Sequence, residues 1–66
     1  MSTESELFRN RAELDHEAAA AATLDSVRDR HLRSEAAWKA MAERSERVAE
    51  ARVRNEQAKQ DAQALG

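Results

Sequence analysis

The chain contains no proline, and its only glycine is the last residue, Gly66. These two residue types are the strongest punctuators of a polypeptide, so nothing obliges the backbone to leave a helix between its ends. Alanine, arginine, glutamate, leucine and glutamine fill most positions, and all are strong helix formers. A start signal stands at Thr3-x-x-Glu6: the threonine hydroxyl can accept from a backbone N–H three residues on, and the glutamate can reach back to form a capping box. Glu4 and Glu6 suit the positive end of the helix dipole, and Gly66 suits a helix end. Pairs at helical spacing (Asp29 with Arg33, Glu35 with Lys39, Glu43 with Arg47, Glu50 with Arg54) add a few tenths of a kcal/mol each, about 0.2–0.5. No strand pattern is present. The fold class is all-α.

The phase of the apolar residues shows how such a helix would be used. From Leu24 a seam steps by three and four: Leu24, Val27, His31, Ser34, Trp38, Met41, Ser45, Val48. An N-terminal seam runs through Leu7, Leu14, Ala18 and Ala21, and the same steps would carry it to Asp25 rather than Leu24. The slip falls inside HEAAAAATLDS, residues 16–26. Two arrangements accommodate it. In the leading one the chain is a single long, nearly continuous amphipathic helix, about 90 Å long, that associates as a coiled coil and offers two faces to two neighbours. In the alternative it is a two-helix antiparallel hairpin turning near Ala22–Asp25, with Thr23 capping the second helix. That turn brings Leu7 and Phe8 level with Lys39, between Trp38 and Met41. Either way the chain is one helical unit over residues 1–66. It divides into an acidic segment 3–22, a seam-bearing helix 24–54 and a polar, frayed tail 55–66.

With 66 residues there is room for one small domain at most. The hydrophobic share of 41% is largely alanine, which buries little area. Large apolar residues are few: Leu7, Phe8, Leu14, Leu24, Val27, Leu32, Trp38, Met41, Val48, Val53 and Leu65, with Met1 at the terminus. Cysteine is absent, so disulfides and thiolate metal sites cannot make up the difference. Association is the remaining source of stability, and the expected partners are a second copy of the chain, a larger protein, or both. The interaction residues expected are Leu24, Val27, His31, Trp38, Met41 and Val48, with Leu7, Phe8 and Leu14. Trp38 and Met41, set among small alanines, have the character of binding anchors. His31, near its unperturbed pKa of about 6.5, would make association sensitive to pH.

Charge narrows the function classes. Residues 1–22 carry Arg9 and Arg11 against Glu4, Glu6, Glu13, Asp15 and Glu17, a net −3; residues 23–54 carry +2 and the tail −1. Arginines of the middle segment alternate with acids, and no aromatic residues interleave for base stacking. An arginine-rich helical regulator associated with nucleic acid is therefore the alternative function, not the leading one. The longest apolar run, Ala18–Ala22, is too short for a membrane span or a signal-peptide core, and the early acids do not suit a transit peptide. A cytoplasmic location is expected, with no membrane partner. No elbow or pocket is in prospect to hold a serine or histidine nucleophile, so an enzyme, a small-molecule substrate and a cofactor are not expected. Glu13-x-x-His16 has the spacing of carboxylate-bridged metal bundles, and a hairpin would set it level with His31 and Glu35. The same spacing arises in any charged helix, and two histidines without thiols make a poor zinc site. A solvated face and no metal are expected. The function that fits is a non-enzymatic helical interaction or scaffolding protein, self-associating or docking on a larger protein through the Leu24–Val48 seam.

Overall fold

The structure, a computed structural model, describes residues 3–65. It is all-α: α1 spans Glu4–Ala21 and α2 spans Asp25–Leu65. Met1 and Gly66, to which the sequence assigns an apolar terminus and a helix stop, lie outside the described residues. The capping box forms in full. The Glu6 N–H donates to Thr3 Oγ1 at 3.2 Å, and the Thr3 N–H donates to Glu6 Oε2 at 3.1 Å.

Of the two arrangements open to the sequence, the chain takes the hairpin; it does not run straight through the alanine stretch. Ala22 is extended, at φ −69° and ψ 133°, and its N–H closes the last turn of α1 onto the Ala19 carbonyl at 3.2 Å. Among the described residues none has a positive φ, so alanine makes this turn without glycine. The Arg28 guanidinium holds the corner. It donates to the Ala22 carbonyl at 3.2 Å, near carbonyls the helix end leaves without partners, and pairs with Asp25 at 3.0 Å. The helix that follows begins slightly later than Thr23 would set it. Its first bond runs from the Arg28 N–H to the Leu24 carbonyl at 3.0 Å, so Leu24 occupies the cap position.

The helices pack along two rows of small and polar residues. On α1 the row is Ser5, Phe8, Ala12, Asp15, Ala19, continued by Ala22, in alternating steps of three and four. On α2 it is Val27, His31, Ser34, Glu35, Trp38, Ala42 and Ser45. Ala12 and Ala19 are 3% exposed and Ala42 is fully covered. Their small side chains let the backbones approach, and one aromatic pair joins them in the seam: Phe8 and Trp38 stack with centroids 5.8 Å apart at 29°.

This seam corrects the one read from apolar phase. Leu7, Leu14 and Ala21 lie outside the contact row of α1, and Met41 gives way to Ala42 on α2. The cause is steric. Rows of alanine, serine and short polar groups allow a close two-helix layer, whereas leucines and methionines between the helices would hold them apart.

The layer is 64 Å long and 21 Å wide. Glu4 meets Ser45 and Arg9 meets Glu46, so α1 begins level with the middle of α2. From Arg47 to Leu65 α2 continues alone for about 28 Å.

Candidate interaction surface

Polar groups fasten the seam at two levels, the one nearer the turn on both sides of it. There Asp15 accepts from Ser34 Oγ at 2.6 Å and from His31 Nδ1 at 3.0 Å. The Ser34 hydroxyl, with His31 second, holds the Asp15 carboxyl below its ordinary range. Beside it, the buried Glu35 accepts from Lys39 Nζ at 2.8 Å and from His16 Nδ1 at 3.3 Å. Lys39 first and His16 second lower the Glu35 pKa against the opposing effect of burial. Near the start of α1, Arg9 and Glu46 form a two-point pair at 2.6 and 3.0 Å, which lowers Glu46 and raises Arg9. Among the described residues no buried side-chain nitrogen or oxygen lacks a partner.

These pairs define one face of the layer. At about 100° per residue, Arg9 and His16 stand roughly 60–80° to one side of the α1 contact row, and Glu35, Lys39 and Glu46 stand to the same side on α2. Glu6, Glu13, Glu17, Glu43 and Glu50 lie farther around on that side. The paired face is acidic.

The opposite face differs in kind. Leu7 and Leu14 point to it from α1, and Met41 and Val48 from α2; their exposures of 54, 59, 43 and 44% are high for large apolar side chains. Arg11, Arg30, Arg44 and Arg52 interleave with them, and none of these arginines is ion-paired among the described residues. Glu4 is the acid on this side at the seam, and it accepts from Ser45 Oγ at 3.3 Å. Where α1 starts and α2 continues, a cleft of about 680 Å³ is lined by Phe8, Met41, Val48 and Ala49, by Arg44 and Arg52, and by Glu4, Glu46 and Glu50.

No family model matches the chain, no curated protein is significantly similar to it in sequence, and no solved structure is a significant match. The surface is therefore read from its own chemistry.

The residues singled out in the sequence divide among three places. Phe8, Val27, His31 and Trp38 are half-buried in the hairpin's own seam. Leu7, Leu14, Met41 and Val48 are exposed together on the apolar–arginine face, while Leu24, 64% exposed, stands at the turn. Glu13 does not join His16; His16 pairs with Glu35 and His31 with Asp15, in separate contacts. No group of three or more histidine or carboxylate side chains converges in metal-binding geometry among the described residues. Of the helical-spacing pairs, Glu35 with Lys39 closes, and Asp29–Arg33, Glu43–Arg47 and Glu50–Arg54 stand open. No helix among the described residues is long and apolar enough to cross a membrane.

Asp15, Ser34, Glu35 and Ala42 are seam residues that apolar phase passes over. A signal for them is present in the sequence. Ser5, Phe8, Ala12, Asp15, Ala19 and Ala22 keep a strict three–four step once small and short polar residues are counted as contact positions.

Proposed function

We propose that this chain is a non-enzymatic interaction module: a helical hairpin that works by docking on another protein chain, in a scaffolding, bridging or masking role. The observation that supports it is the inversion of ordinary packing. The hairpin encloses alanines and paired polar groups, while Leu7, Leu14, Leu24, Leu32, Met41, Val48 and Val53 are left 43–69% exposed. A two-helix layer has a second face to cover, and globular domains meet that need by adding a layer. Self-association and docking on a larger protein both satisfy it.

Two measurements test the proposal. The mass of the purified protein in solution is followed over a wide concentration range. Capture from the native cell compares the wild type with a Leu7→Ser, Met41→Ser variant. Self-association, or partners captured by the wild type and lost in the variant, is the expected result. A hairpin that stays monomeric at all concentrations and captures nothing the variant does not would overturn it.

A further inference from the structure

The second helix outruns the first. From Arg47 to Leu65 α2 extends past the hairpin, and every side chain of this overhang except Ala51 is exposed. Helices in folded proteins owe most of their stability to tertiary packing of one face, so the overhang has a face left to cover. The sequence marks that face. Val48, Ala51, Asn55, Ala58, Ala62 and Leu65 follow alternating steps of three and four down one side of the overhang. At about 100° per residue this stripe stands roughly 135° around α2 from the row that meets α1, so a helix laid on it does not compete with the hairpin. Rows of alanine already join helices in this chain, at Ala12, Ala19 and Ala42.

We infer that the stripe is covered by the same stripe of a second copy of the chain, laid antiparallel. The inference rests on the interaction role proposed above and specifies how self-association occurs. Pattern and length support it first. Antiparallel pairing sets Val48 opposite Leu65, Ala51 opposite Ala62 and Asn55 opposite Ala58, each layer occurring twice by two-fold symmetry. The larger residues meet at the ends and the alanines lie between them. In this register Arg47 stands level with the end of the other chain. As α1 begins level with Glu46, both hairpins lie outside the overlap, one at each end of a rod.

Charge selects the direction. Residues 47–54 carry a net +2 and residues 55–65 a net −1. Antiparallel pairing sets these unlike halves together, and parallel pairing sets like halves together. Among the described residues no charged side chain of the overhang is ion-paired. Arg54 comes to the same side of the stripe as Asp61 of the second copy, within about 3 Å of one level. A parallel pair would instead set Arg47 against Arg52, and Arg54 against Lys59. On the other flank of the antiparallel pair Arg52 lies near Lys59 of the second copy, and each has Glu56 within one turn on its own helix. With alanine at three of six seam positions the interface is small and weak. It leaves Leu7, Leu14 and Met41 uncovered.

The test uses the full-length protein in sedimentation equilibrium from about 5 μM to 1 mM, a range that covers weak dimers. The expected result is a monomer–dimer equilibrium. Ala58→Glu with Ala62→Glu should weaken it at least about tenfold, while circular dichroism and Trp38 emission stay as in the wild type. Asp61→Arg should weaken it several-fold, and adding Arg54→Asp should restore it. Leu7→Ser with Met41→Ser should leave it unchanged. Direction is read from a spin label on Ala40→Cys, in a chain without other cysteines. The two labels should stand about 50 Å apart in the antiparallel dimer and under about 20 Å in a parallel one. A dimer with the short distance, a dimer indifferent to Ala58→Glu with Ala62→Glu, or a charge swap that fails to restore association would each overturn the inference. A dimer lost in the Leu7→Ser, Met41→Ser variant, or a monomer that captures another protein, overturns this pairing and leaves the broader interaction role in place. A protein that stays monomeric and captures nothing overturns both.

Discussion

Ala42 is fully covered between the helices, and Ala40, two residues before it, is exposed. Replacing each in turn with leucine separates packing from every other effect. Alanine and leucine differ little in helix propensity, so the secondary-structure cost is small at both positions. At position 42, which is fully closed to solvent, the added carbons must push the helices apart to find room. Overpacking of this kind costs about 1–3 kcal/mol. In a domain of this size 1 kcal/mol moves Tm by roughly 4–8 °C, so Ala42→Leu should lower Tm by about 4–24 °C. Ala40→Leu should change it by no more than a few degrees. The assay is thermal melting by circular dichroism with Trp38 fluorescence in parallel. As Trp38 stacks on Phe8 across the seam, its emission reports opening of the hairpin even while α2 remains helical. If Ala42→Leu melts like the wild type with unchanged Trp38 emission, or if both leucine variants cost the same, the small-residue seam is not what joins the helices.

Other consequences can be measured in the same way. Phe8→Ala removes the aromatic partner of Trp38; complete burial would make the loss about 3–5 kcal/mol, and for this half-buried ring about 2 kcal/mol is expected, read as a lower urea midpoint and a red-shifted Trp38 emission, with Phe8→Leu restoring most of it. The Asp15, Glu35 and Glu46 carboxyls are all lowered in the folded chain, so the native state binds fewer protons than the unfolded state as acid is added. Their stabilisation is present above the unfolded carboxylate values of about 4 and is lost as pH falls through the lowered folded values. Urea midpoints between pH 7 and pH 3 should therefore decline toward acid, and Asp15→Asn should flatten part of that slope; an unchanged slope would mean the Ser34–Asp15–His31 contact does not form.

Much of the fold was legible because its signals are local. The capping box depends only on Thr3 and Glu6, and it forms as written. The helical state of both segments follows from side-chain types that act one residue at a time. The level of Phe8 with Trp38 also followed, once a turn near residue 23 was allowed, from counting back along two antiparallel rods. The turn itself was harder to see. A backbone at φ −69° and ψ 133° is open to any residue, so Ala22 carries no mark of it. Its main fastening, Arg28 to the Ala22 carbonyl, spans six positions outside the helical repeat. The seam residues were hidden for a related reason. Hydrophobic periodicity weights large side chains, and here the contact row is made of alanines and of polar groups that become good seam residues only when paired across it.

By itself the sequence determined that the chain is helical, where the first helix begins, that its apolar pattern slips in the alanine stretch, and that its large apolar residues are too few for an ordinary core. Those properties follow from backbone propensity, capping chemistry and composition, all of which act over a few residues. Only the tertiary structure decided which side of each helix faces the other. Ala12, Ala19 and Ala42 go inward because small side chains permit a close approach, and Asp15 and Glu35 follow because Ser34, His31, His16 and Lys39 meet them there. That choice turns Leu7, Leu14, Met41 and Val48 outward beside unpaired arginines, a juxtaposition of residues 7 to 52 that exists only once the chain has folded back on itself.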